Sequence, residues 1–301
     1  MKNKAHRLDN STAGKVFDVF NTVFIILFCI SILFPVWDMI VKSLSDAKDV
    51  SFLSINLFPK HPTLETYKYC LSDPKLLIAA KNSVLRTIIG TLYHLIVCSL
   101  AAFALTRTGM PLLKPITALF LITMFFSGGL IPSYLNIQSL GLMNSFWVYV
   151  IPGGFSMYNT LIIRNYFFSI DRSMEEAATV DGASMLQIMI LIIIPLSKPV
   201  LATVGLWQMV GQWNSWFDNM IYARDESLLT LQYMLRRIMN DVSAMNDATN
   251  AYAAVTDTSV RFTSETVIAA TTMITILPII CVYPFLQKYF VKGIMLGAVK
   301  G

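Results

Sequence analysis

Charge is what this 301-residue sequence has least of. Only 14% of its residues are Asp, Glu, Lys or Arg, against about 25% in an ordinary soluble domain. Apolar residues make up 55% and the mean hydropathy is +0.60, which excludes a soluble globular chain and leaves an all-α polytopic membrane protein. The spacing of the four cysteines suggests neither a metal site nor a disulfide framework. Cys29, Cys98 and Cys281 lie in apolar runs and Cys70 in a polar one, as small packing residues do. No Gly-x4-Gly-Lys-Ser/Thr loop is present to cradle nucleotide phosphates, and no nucleophile–base or metal-ligand constellation emerges. Nor do the apolar runs carry the chain of carboxylates that a proton-driven pump needs. Nothing in the composition calls for nucleic acid.

What is present is a series of six apolar runs. The first is expected over Val16–Val41 and, lacking a small-residue cleavage site after it, should remain as an anchor. An external loop with Pro59, Pro62 and Pro74 follows to about Leu76. Further spans are expected over Leu77–Thr106, Leu112–Ser127, Phe146–Phe168, Ser197–Tyr222 and Ser264–Phe290. Gly128, Gly129 and Pro132 should break the helix after the third, with a polar connection from Asn136 to Ser145, and the fourth crosses Pro152 and a Gly153-Gly154 pair. The chain thus divides into an N-terminal segment (1–15), the first helix and its loop (16–76), a five-helix core (77–291) and a tail (292–301).

Basic residues orient these spans. Arg107 and Lys114 lie between spans two and three, whereas the connection between spans three and four has no Lys or Arg. Arg164, Arg172 and Lys198 bracket the connection between spans four and five, and Lys288, Lys292 and Lys300 mark the tail. By the positive-inside rule both termini and the residues 173–195 face the cytoplasm.

That 173–195 stretch is polar where the chain is otherwise apolar. Ser173 with Glu176 three residues on predicts a capping box at the start of a short helix. Asp181-Gly182 should end it, Gly182 adopting the left-handed conformation. Ser184 with Gln187 predicts a second cap, and Pro195 a stop or kink. The spacing Glu176-Ala177-Ala178, Gly182, Ile192, Ile194-Pro195 resembles the EAA loop of permease subunits in binding-protein-dependent ABC importers, with Ile194 where leucine is usual. The ending Gln287–Gly293, then Gly297-Ala298-Val299-Lys300-Gly301, resembles the carboxy-terminal signature of the maltose-type, MalG-like sugar permeases, and the whole chain resembles their LplC/YtcP-like carbohydrate subgroup.

The resemblance implies a type I importer permease fold in a bacterial cytoplasmic membrane, paired with a second permease subunit, a cytoplasmic ATPase dimer and an extracytoplasmic sugar-binding protein. It implies that Glu176, Ala177, Ala178, Asp181, Gly182 and Pro195 couple to the ATPase, and that Gly297, Lys300 and Gly301 of the tail contribute. It implies no catalysis and no cofactor on this chain, ATP and Mg being used by the partner. It also makes the 224–257 loop similar to the one that probes the docked binding protein.

Two further features stay open on the residues themselves. Trp213, Asn214, Trp216 and Asp218 could form a sugar-stacking path or an aromatic belt at the membrane interface. Arg86 and Lys81 could snorkel to the external surface, while His94, two turns deeper, reads as a neutral hydrogen-bonding residue. The Gly153-Gly154 break would also suit a secondary transporter working alone.

Overall fold

Helices account for the regular structure in the computed structural model, which describes residues 12–50, 56–107, 109–251, 263 and 265–281. Among the described residues the only β feature is an isolated bridge between Ser45 and Pro62. The tail residues Gly297, Lys300 and Gly301 and the end of the expected sixth span lie outside the described residues.

Two compact units emerge. One comprises the chain up to Cys70 with Asn250–Ile274, the other Leu71–Thr249 with the chain from Thr275. In the first, α1 (Thr12–Ser43) runs through Pro35 and exposes apolar residues from Val16 to Leu33, as a helix bathed in lipid should. Its end is tied down when Trp37 Nε1 donates to the Leu57 carbonyl (2.8 Å) and Tyr67 Oη to Ser43 Oγ (2.8 Å). Tyr67 belongs to the short α2 (Glu65–Ser72).

The second unit is built on α3 (Pro74–Leu105), which starts at an Asp73 cap and a Pro74 suited to the first turn. Both α1 and α3 are long and apolar enough to cross a membrane. The third apolar run instead breaks at Gly129 (φ +85°) into α4 (Leu113–Phe125) and α5 (Leu130–Ser139), bent by 119°. The break falls where the Gly-Gly-Pro signal put it, but the chain after it is helical to Ser139 rather than an open polar connection.

The expected fourth span is also not one helix. A 3-10 turn at Phe146–Tyr149 is followed by irregular backbone through Pro152 and the glycine pair, and only Met157–Phe168 (α6) is α-helical. At about 18 Å, α6 alone is too short to cross the hydrocarbon. The irregular stretch is held from α3: His94 Nδ1 donates to the Gly153 carbonyl (2.8 Å), which leaves Nε2 to accept from Asn159 Nδ2 (2.9 Å). A Cβ on Gly154 would sit 2.1 Å from Tyr93 Cε1, so glycine is required there for the backbone to reach α3.

After a polar turn come α7 (Ser173–Val180), α8 (Met185–Leu196), α9 (Lys198–Asn214), α10 (Phe217–Tyr222), α11 (Leu231–Ala251) and α12 (Glu265–Cys281). The expected fifth span is therefore α9 with a separate α10, broken at Ser215-Trp216. The 224–257 loop contains the long α11.

Arg86 sets the packing of this unit. Its side chain is 2% exposed, so the expected snorkelling does not occur, whereas Lys81 is exposed. Nη1 and Nη2 reach both oxygens of Asp218, Nε and Nη2 donate to Gln212 Oε1 (3.2 and 3.1 Å), and Nη1 donates to the Ser215 carbonyl (3.4 Å). The guanidinium also lies over the Tyr149 ring, 4.5 Å from its centroid. A guanidinium keeps its proton, so burial demands this full set of partners. Gln212 in turn donates from Nε2 to the Tyr149 carbonyl (3.2 Å) and leaves no room for a side chain at Gly90, whose Cβ would lie 2.8 Å from that nitrogen.

Breaking such a pair from one side strands a charge, so Arg86→Met should cost about 3–5 kcal/mol. Thermal unfolding of the detergent-purified chain should show a marked drop for Arg86→Met and recovery of most of it in Arg86→Met/Asp218→Leu. Equal melting of the single and double variants would contradict the pair's role.

Candidate functional site

Residues 171–197 form a short helix, a glycine turn and a bent second helix. The expected Ser173 capping box is not what starts α7. Asp171 takes the cap instead, its Oδ1 accepting the Ser173 N–H (3.0 Å), while Arg172 at the cap position makes no side-chain bond and the Glu176 N–H goes to the Arg172 carbonyl (3.0 Å). The backbone N–H of Ser173, and then its side chain, hold the Asp171 carboxyl below its ordinary pKa. A carboxylate caps better than a hydroxyl because it also meets the positive end of the helix dipole.

The end of α7 is as the sequence predicts. Gly182 is left-handed (φ +82°), its N–H donates to the Thr179 carbonyl (3.1 Å), and the Ala183 N–H reaches back to Ala178 (2.9 Å). This six-to-one and five-to-two pair is a Schellman motif. The predicted box at Ser184 is complete: its hydroxyl accepts from the Gln187 N–H (3.4 Å), and Gln187 Oε1 accepts from the Ser184 N–H (2.7 Å).

Pro195 acts earlier than a simple kink. Met189–Ile193 is a π-helical turn, in which the Ile194 N–H donates to the carbonyl five residues back, at Met189. Widening the turn relieves the clash that the Pro195 ring would make with the carbonyl of Leu191. The bend itself comes at Ser197, where α8 and α9 meet at 81°, with Pro199 opening the new helix.

One side of α7 is fixed to the protein and the other is open. Arg107, at the end of α3, donates from Nη1 to Glu175 Oε2 (2.6 Å) while stacking 4.0 Å over Phe103. Ala178 and Ala183 pack on a core of Cys98, Phe103, Ile163, Phe167, Ile188 and Val204. Glu176, Ala177, Thr179, Asp181 and Gly182 are exposed, and Val180 is 87% exposed. Beside this face lies an open groove of about 600 Å³ lined by Arg107, Phe168, Arg172, Glu176, Val180 and Met185 among others. Glu175 and Arg107 were legible only as charges in an apolar chain; nothing in the spacing said that they pair.

The other candidate residues are split among different surroundings. Trp213 is buried (7% exposed), its Nε1 donating to the Thr275 carbonyl (3.1 Å). Asp218 is bound to Arg86 and also accepts from Ser215 Oγ (3.0 Å) and the Asn219 N–H (2.9 Å). Asn214 is exposed and Trp216 half-buried, and both face α11, where Gln232 Nε2 donates to Asn214 Oδ1 (3.2 Å).

A Cβ at Gly182 would meet nothing within 4 Å, so substitution there strains only the backbone, by about 1–2 kcal/mol. Gly182→Ala should therefore speed amide exchange at Ala183 about tenfold without unfolding the chain. Hydrogen exchange in detergent checks this, and unchanged protection would deny the glycine its role.

No family model matches the chain. It is 36% identical to Protein LplC of Bacillus subtilis (strain 168), over 98% of this chain and 99% of that one. With the polygalacturonan/rhamnogalacturonan transport system permease protein YtcP of the same organism it shares 32% over 96% and 99%. Its backbone superposes with a TM-score of 0.84, at 30% identity, on a chain from the crystal structure of a bacterial ABC transporter involved in the import of the acidic polysaccharide alginate, covering 94% of this chain and 99% of that one. In such importers ATP is hydrolysed by a separate subunit. With near-complete coverage at this identity, and the same fold, the chain belongs to the permease subunits of binding-protein-dependent sugar ABC importers.

Proposed function

We propose that the chain crosses a bacterial cytoplasmic membrane six times, with both termini inside, and pairs with a second permease to form a carbohydrate pathway. Two copies of a cytoplasmic ATPase bind below, and an extracytoplasmic sugar-binding protein delivers the substrate above. ATP and Mg belong to the ATPase, and this chain binds neither. The relatives named for polygalacturonan and alginate transport support a carbohydrate substrate.

The observation that carries the coupling reading is the two-sidedness of α7. Its Glu175 and Ala178 are engaged with the protein while Glu176, Ala177 and Val180 point outward. An apolar side chain as exposed as Val180, beside an open groove on a polar loop, suits a surface that a partner covers. In this reading Glu176 is the polar contact to the ATPase, and Ala177 and Ala178 keep the helix thin enough to enter a cleft. Asp181 and Gly182 turn the chain back, and the Pro195 turn directs force into α9. Closure of the ATPase dimer then displaces α7, and rigid-body rocking of the helices switches the pathway from inward to outward facing. Trp216 and Asn214 line the substrate path, whereas Trp213 and Asp218 support it from behind. The tail residues Gly297, Lys300 and Gly301 extend into the ATPase interface.

Co-expression with candidate ATPase subunits, affinity purification and an ATP hydrolysis assay test this. Wild type should retain the ATPase, and Glu176→Arg should lose at least about tenfold of the stimulated turnover, the scale of placing a like or unpaired charge in an interface. Gly182→Leu should abolish transport with membrane insertion intact. Sugar uptake by the chain alone in vesicles, without any ATPase, would refute the proposal.

A further inference from the structure

The turn between α9 and α10 meets α11 at a cluster with an unused charge. Arg236 lies flat over the Trp216 indole, its guanidinium carbon 4.7 Å from the ring centroid. One turn earlier on the same face of α11, Gln232 bonds Asn214. Gln232 spends one amide hydrogen and Asn214 its carbonyl oxygen, so the Asn214 NH2 and the Gln232 carbonyl remain for another molecule.

Among the described residues no carboxylate pairs with Arg236. Asp218, two residues from Trp216, gives both oxygens to Arg86, and Glu226 is taken by Lys75 (2.6 Å). Stacking occupies the face of the guanidinium and leaves its N–H edge open. Arg236 and the adjacent Arg237 are both exposed.

The cluster is also rigidly placed. Asn82 on α3 donates to the Ser227 and Leu229 carbonyls (2.8 and 2.9 Å), and Ser83 Oγ accepts the Leu231 N–H (2.9 Å). Asn219 on α10, fully buried, accepts from both the N–H (2.8 Å) and the hydroxyl (3.0 Å) of Thr230. The first turn of α11 is therefore pinned to α3 and α10, and Gln232 and Arg236 inherit a fixed position over Trp216.

A planar cationic fork, an aromatic ring and two amides within one helical turn match a sugar that carries an acid. The fork can donate two parallel bonds to a carboxylate, the amides suit ring hydroxyls, and the indole covers one face of the guanidinium. A neutral sugar would leave the guanidinium without a counter-charge. We propose that Arg236, with Trp216, Asn214 and Gln232, forms a subsite for the carboxylate of a uronic-acid residue in an acidic oligosaccharide. The assignment rests on the importer reading and adds the charge class of what is carried.

The test uses the full chain with its partner subunits in lipid nanodiscs, and titrates tetragalacturonate, maltotetraose and hexaglutamate at low salt. Tetragalacturonate should bind at least about tenfold tighter than maltotetraose, the scale of a charge-assisted hydrogen bond. Arg236→Gln should abolish that preference. Arg236→Lys should abolish most of it too, because an ammonium keeps the charge and loses the fork. Arg237→Gln should leave it unchanged. No binding of tetragalacturonate, equal affinity for the two saccharides, or a preference that survives Arg236→Gln or Arg236→Lys would overturn the assignment. Competition by hexaglutamate as strong as that by tetragalacturonate would also overturn it, and would give Arg236 to an acidic protein face. The importer reading fails separately: it falls if wild type retains no ATPase, and stands if Arg236→Gln leaves ATP-driven saccharide uptake intact.

Discussion

A guanidinium placed in an apolar interior dictates what surrounds it, and in this chain that group is Arg86. Its partners come from separate stretches of sequence: Tyr149 from the broken fourth run, Gln212 from the end of α9, Ser215 from the turn that follows and Asp218 from the first turn of α10. None is placed by its own helix alone. Holding the charge fixes how the end of α9 lies against α3, and it requires Gly90 to stay without a side chain where the Gln212 amide passes. Asn214 and Trp216 flank Ser215 at the same junction, so the arginine also fixes where these two side chains meet α11.

The second constraint is that a helix broken inside a membrane exposes backbone groups with no water to satisfy them. This chain meets it with side chains from intact neighbours. His94 serves the Gly153 carbonyl, Gln212 serves the Tyr149 carbonyl, Trp213 serves the Thr275 carbonyl, and buried Asn219 closes the Ala223 carbonyl (2.8 Å). Buried polar residues of this unit are thus largely committed to repairing interruptions. His94 belongs to this group, with Nδ1 on the Gly153 carbonyl and Nε2 on the Asn159 amide.

Local signals were legible in the sequence, and long-range ones were not. Gly182 as a left-handed cap, the Ser184 box and the break at Gly129 each depend on residues within a few positions of one another, and the structure has them. The Ser173 box failed to a competitor two residues upstream, since Asp171 supplies a charged acceptor in the same reach. Continuous fourth and fifth spans were expected because hydropathy adds over a window and is blind to a turn inside it. Arg86 was misplaced for a different reason: snorkelling and burial have the same sequence signature, and only the partner 132 residues away decides between them. Trp213 and Trp216 sit three apart in one aromatic cluster, yet one faces the core and the other α11.

These constraints also bear on how a displacement of α7 would be passed on through the helices packed against it. Ala178 and Ala183 rest on a core that includes Phe103 of α3, Ile163 and Phe167 of α6, Ile188 and Ile193 of α8, and Val200 and Val204 of α9. A close-packed cluster of this kind resists compression and transmits displacement. The helix α9, unbroken for 17 residues or about 25 Å, carries both Val200 and Val204 of that cluster and Gln212 of the Arg86 site. Compliance is concentrated instead at the ends of that rod, in the π turn and Ser197 bend below and at the Ser215-Trp216 turn above. A push on α7 is therefore met by a stiff lever with a hinge at each end. The upper hinge is the one where Arg86 holds Asp218 and where Arg236 covers Trp216, so a change of angle at α9 acts on both contacts at once, without any side chain having to carry the signal on its own.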